Sequence, residues 1–279
     1  LQRARAASWR HGQASSRNFV SATATHALVQ RGVEFDNFLH RSNFRGSPTE
    51  RLTADFSHAF FEALAVVTDT ASGYSQLLIR PDGWAESWDQ DLPPLCEMWR
   101  GRAYPEAFDD GIWRTPRTQI SADALQRLVQ AAVALSGAPE SVRIASRRLR
   151  RIAFRESRED SVLDAAIGVE ALLGGDREEI THRISQRAAV ALADGFPPST
   201  IYDLVKKFYG VRSAVVHGRL PRKWACKLGD HEVDAIELGE FLLRELLNSN
   251  VLADVPWTRD SLDAQLLTAL EREPPAALE

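Results

Sequence analysis

The sequence predicts a mainly helical protein: a helical bundle in the C-terminal part, preceded by a smaller α/β region. Three observations lead there. From Ser121 onward, six successive segments carry apolar residues at three-and-four spacing. Caps and breakers, Ser, Asp, Gly and Pro, punctuate their ends. No fixed-period repeat runs through them, which favours a bundle over a solenoid. We therefore read 1–117 as an α/β region with a possible sensing role, 118–252 as the helical domain and 253–279 as a C-terminal helix and tail.

Length and composition bound the function. The chain has 279 residues, 44% hydrophobic and 26% charged, and no apolar run approaches a membrane span. Net charge is −4, so any contact with a polyanion must be local. Cys96 and Cys226 lack metal-ligand spacing and build no disulfide framework, which suits a reducing cytoplasm. No metal or other cofactor is expected. The basic residues are 30 Arg and four Lys. The chain begins at Leu1 rather than Met, which allows for a preceding segment.

In order, Thr23 to Leu39 has weak helical spacing (Leu28, Phe35, Leu39). Ser47-Pro48-Thr49-Glu50 is a helix start, with Ser as cap and Pro in the first turn, followed by Leu52, Phe56, Phe60, Ala63 and Val67. Tyr74 to Ile79 reads as a strand, Pro81-Asp82-Gly83 as a turn and Trp84 to Trp88 as a returning strand. Ser121 caps a helix carrying Leu125, Leu128, Val129 and Ala132, stopped by Gly137. A second helix is expected from about Pro139 to Leu173, and Asp176-x-x-Glu179 opens a third that ends at Gly195. The fourth runs from Ser199 to Gly218, after Pro197-Pro198, with Ile201, Leu204, Val205, Phe208, Val211 and Val215 as its stripe. A fifth begins at Asp230, and a short last helix spans Thr258 to Glu271.

Candidate chemistry sits at the end of the fourth helix, where Arg212 and His217 place a fixed cation beside a side chain that titrates near neutrality. Spacing alone does not select this pair. Arg5/His11, Arg51/His58 and Arg177/His182 have similar separations.

The surrounding residues do select it. Tyr209-Gly-Val-Arg-Ser-Ala-Val-Val-His-Gly218, with Asp164-Ala-Ala-Ile-Gly-Val-Glu170-Ala-Leu-Leu173 and Ile184-Ser-Gln-Arg187-Ala-Ala189 upstream, resembles the ApeA-like group of the HEPN superfamily over about 140–250. The resemblance implies a helical bundle that forms a homodimer and brings Arg/His pairs to one cleft. It further implies a metal-independent endoribonuclease in anti-phage defence or a toxin-like role, with a phage-derived or protein trigger. The RNA 2′-hydroxyl would attack the adjacent phosphate and leave a cyclic phosphate. In that chemistry His217 moves the proton and Arg212 holds the charge developing on phosphorus. Ser213 stands where the family often has Asn, Asp or His. The alternative is a catalytically silent HEPN module that dimerises and binds RNA or a partner protein.

Helix geometry constrains the pair. At about 100° per residue, Arg212 and His217 lie roughly 140° apart. Lys206, Tyr209, Ser213 and His217 share a polar flank that would line the site, while Arg212 falls at the border of the apolar stripe. Convergence of Arg212 with His217 on an open cleft would favour cleavage, and burial of Arg212 against Glu170 the binding module. Glu170 and Arg187 are expected to form a structural ion pair. The arginine run of residues 143–158 offers a second RNA-contacting candidate, above all at Arg147 and Arg151.

Overall fold

The computed structural model describes residues 27–32, 48–70, 72–79, 96–105, 120–175, 180–219, 224–228 and 231–272. Among them it is mainly helical, with eight helices and two two-stranded antiparallel sheets. No helix among them is long and apolar enough to cross a membrane.

The chain divides into two compact units, one of 1–58 and 71–118, the other of 59–70 and 119–279. In the first, α1 (Pro48–Val67) starts at the proline the sequence marks, and β1 (Tyr74–Ile79) spans the predicted strand. Its partner is β2 (Cys96–Ala103), antiparallel, pairing Tyr74 with Ala103 and Ile79 with Cys96. The expected turn at 81–83 and returning strand at 84–88 lie outside the described residues. Residues 27–32 are irregular and not helical; the rest of the helix expected at 23–39 lies outside the described residues.

The second unit is the helical one. α2 (Ala122–Ser136) is capped by Ser121, whose Oγ accepts from the Ala124 N–H at 3.1 Å. It buries Leu128, Ala131 and Leu135, so Leu125 and Val129, expected inside, face outward. The long second helix is two helices, α3 (Glu140–Ile152) and α4 (Arg158–Leu173). Between them Ser157 starts a new helix, its Oγ accepting from the Asp160 N–H at 3.2 Å. α5 (Ile180–Ala191) and α6 (Pro198–Val216) follow. Pro198 takes the first turn of α6, where a missing N–H costs nothing, and Gly218 leaves the helix at φ +67°. The capping box at 176–179 lies outside the described residues.

A hairpin that the sequence reading missed comes next, β3 (Ala225–Leu228) with β4 (His231–Asp234), followed by α7 (Ala235–Val251) and α8 (Arg259–Arg272). Asp234 caps α7 by accepting from the Ile236 N–H at 2.8 Å, so that helix starts later than the expected Asp230. Thr258 and Ser261 cap α8 reciprocally, each side-chain oxygen accepting the other's N–H.

α4 sits centrally, packed by α3, α6 and α7, while α5 pairs with α6 and carries α8. Val162, Ala165, Val169, Leu173, Phe208, Leu242, Leu243 and Leu246 are almost fully buried in that core. Close approach depends on small residues. A Cβ on Gly168 would lie 2.5 Å from Leu243, and one on Gly239 2.5 Å from Phe208. The end of α1 belongs to this unit: Arg150 stacks over Phe61, and Ser146 donates to Glu62 at 2.6 Å.

Candidate functional site

Arg212 does not turn toward His217. Its Nη2 lies 3.0 Å from Glu170 Oε1 on α4, with the two side chains 32% and 27% exposed. The pair therefore sits at the rim of the α4–α6 packing, open to water on one side. The cause is the apolar face of α4. It runs through Val162, Ala165, Val169, Leu172 and Leu173, leaving Ile167 exposed and Glu170 at its edge, level with Arg212.

Tyr209 departs from the expected polar flank. It is 4% exposed, edge-on to Phe208 with ring centroids 5.8 Å apart. Burial first, and then the Glu170 carboxylate, push its hydroxyl well above the ordinary tyrosine range. Tyr209 Oη, Glu170 Oε1 and Arg212 Nε are all sealed from solvent without a well-formed hydrogen bond. Charge joins Arg212 to Glu170, and Tyr209 is held beside them by the burial of its ring.

The Glu170–Arg187 pair does not form. Arg187 instead grips Asp263 of α8 through both arms of its guanidinium, Nε at 2.7 Å and Nη2 at 2.6 Å, and donates to the Leu173 carbonyl at 2.6 Å. A planar fork matches one carboxylate and one carbonyl here, and Glu170 is already claimed by Arg212. The Arg187 hydrogen bonds hold the Asp263 carboxyl below the usual range.

Lys206, Ser213 and His217 are exposed. His217 is the C-cap residue of α6, and its ring makes no hydrogen bond or ion pair among the described residues. Lys206 Nζ sits 5.3 Å from the centre of the Tyr202 ring, whose hydroxyl lies 2.9 Å from His182 Nδ1. At helical spacing Lys206, Lys207, Gly210, Ser213 and His217 fall on the outward side of α6, opposite the Arg212 side. One chain thus offers a face carrying two lysines and a histidine, separate from the Arg212–Glu170 pair.

The arginine run divides: Arg143, Arg147, Arg151 and Arg158 are exposed, and Arg148, Arg150 and Arg155 are half-buried. Arg148 and Arg155 each reach Asp164 at 2.5 Å, and the Asp164 side chain is only 2% exposed. Arg158 pairs with Asp234, and Arg150 lies over Phe61 and Phe154. Arg147 bonds Glu140 at 2.5 Å, while Arg151 is exposed. Of the two arginines singled out, Arg151 keeps its charge open to a ligand, and Arg147 shares its charge with Glu140.

A further feature lay outside the sequence reading. An open cavity of roughly 330 Å³ lies between α6 and β3, lined by Lys207, Gly210, Val211, Ala214, Ala225, Cys226 and Lys227. Cys226 is buried, and burial together with nearby Asp234 raises its thiol pKa. The hairpin that forms one wall was signalled by Gly229-Asp230 between two short runs, a spacing suited to a two-residue turn.

No family model, curated protein or solved structure matches the chain.

Proposed function

We propose that the helical unit is a HEPN-type module that binds RNA along the outward face of α6, with Lys206, Lys207, Ser213 and His217 toward the strand. One observation carries the binding reading ahead of cleavage. Arg212 is engaged by Glu170 on the far side of α6 from His217, so a single chain does not aim both groups at one phosphate.

A second reading has its own support. His217 is exposed and unpartnered among the described residues at the helix end, and the Arg212 guanidinium is still partly open to solvent. A second copy that brings its own Arg212 beside His217 would complete a metal-independent endoribonuclease. His217 would then relay the 2′-hydroxyl proton, and Arg212 would hold the phosphorane charge.

The test is a mixed RNA pool in EDTA, with binding and cleavage read together for wild type, His217→Ala and Arg212→Ala. Binding without cleavage by a folded dimer supports the module. Cyclic-phosphate products that disappear in both variants establish the nuclease and assign its central pair. A wild type that neither binds nor cuts RNA rejects both readings.

A further inference from the structure

The cavity between α6 and β3 shares Lys207 with the face proposed above, and its lining is unusual in one respect. Gly210 lies in the interior of α6, where glycine costs about 0.5–1 kcal/mol against alanine. Packing does not demand it, because a Cβ at Gly210 would meet nothing within 4 Å. This contrasts with Gly168 and Gly239, where a Cβ would collide with Leu243 and Phe208. The methyl group missing at Gly210 would instead project into the cavity.

The rest of the lining names an occupant. Val211, Ala214 and Ala225 make a shallow apolar floor, and Lys207 and Lys227 stand at its sides from different elements. Glu232 stands opposite Lys227 in the hairpin register. A volume near 330 Å³ is at the small end of ligand pockets, which run from about 300 to 1,000 Å³. Two ammonium groups beside a small-residue apolar floor suit a phosphate whose attached sugar or base packs on that floor. Gly210, Ala214 and His217 follow one another at four and three residues, so they lie along one line of the helix. Gly210 and His217 are then about 10 Å apart along the axis.

We propose that this cavity is a nucleotide subsite. It takes one residue of a bound RNA strand, the base or sugar laid against Gly210 and Ala214 and the phosphate between Lys207 and Lys227, and so leads the strand toward His217. The inference rests on the RNA-binding reading above and adds the register of the strand on α6.

Fluorescence anisotropy with a labelled single-stranded RNA across a salt series tests it on the full chain, with thermal unfolding alongside. Gly210→Ala should raise the melting temperature yet weaken RNA binding roughly tenfold, or about 1.4 kcal/mol. Lys207→Gln and Lys227→Gln should each reduce the salt slope by about 1. Gain of stability with unchanged affinity in Gly210→Ala, or unchanged slopes in both lysine variants, would overturn the subsite and leave RNA binding standing. Wild type that fails to bind RNA at any salt would remove the underlying reading and the subsite with it.

Discussion

Asp164 shows how a residue's surroundings set its charge. Burial works to raise its pKa, but the guanidiniums of Arg155 and Arg148 prevail and hold the carboxyl below its usual value. Because the folded pKa lies below the unfolded one, the ionised form is the one the fold favours. Its contribution is complete above the ordinary value of 3.8 and is lost as pH falls through the folded value. Asp164→Asn should cost about 1.5–3 kcal/mol near neutrality, since it removes the charged acceptor of two half-buried arginines. Urea unfolding at pH 7 and again below pH 3.5 checks this, and the variant's penalty should shrink in acid. The residue scale is also where sequence reading stops. Arg187 and Glu170 lay on neighbouring predicted helices and looked like partners. Each found another mate because partner choice depends on which helix rim faces which, and Asp263 comes from a segment 76 residues away.

At the scale of elements, periodicity and caps went far. Pro48, Tyr74 to Ile79, Ser121 and Gly218 mark real boundaries. The errors have physical causes. The α3–α4 break was missed although no apolar residue stands between Phe154 and Val162, and Ser157 followed by Asp160 three residues on is a start signal. The β3–β4 hairpin was missed because four-residue strands carry too little alternation to stand out. Without that hairpin the cavity beside α6 has only one wall, so Gly210 and Lys227 were not legible as site residues. The core contacts yield a further prediction. Gly239→Ala should destabilise by about 1–3 kcal/mol despite alanine's better helix propensity, because its Cβ would strike Phe208 and Ala165. Differential scanning calorimetry should place Gly239→Ala below wild type; a rise in its melting temperature would show that α7 and α6 are free to part.

For the whole molecule, the helical unit does not begin where its sequence character changes. Residues 59–70 belong to it, with Ala63, Leu64 and Val66 buried and Ala65 giving its carbonyl to Arg244 Nε at 3.2 Å. A chain starting at Gln119 should therefore melt lower than one starting at Pro48 and bind more of a hydrophobic dye. Equal melting would show that the end of α1 contributes nothing to the unit. Fold class was legible at this scale because six amphipathic segments with caps leave few alternatives to a helical bundle. The contribution of α1 was not, since nothing local in its sequence says which core it joins.

The different placement of arginines and lysines has a practical consequence. Arg148, Arg155 and Arg187 are bound to carboxylates and tie segments of the helical unit to one another. The four lysines, by contrast, all fall within residues 206–227, and three of them, Lys206, Lys207 and Lys227, stand on or beside the same flank of α6. An amine-directed reagent, whether an acetylating enzyme or a dye ester, would therefore reach Lys206, Lys207 and Lys227 together, all three exposed on that flank.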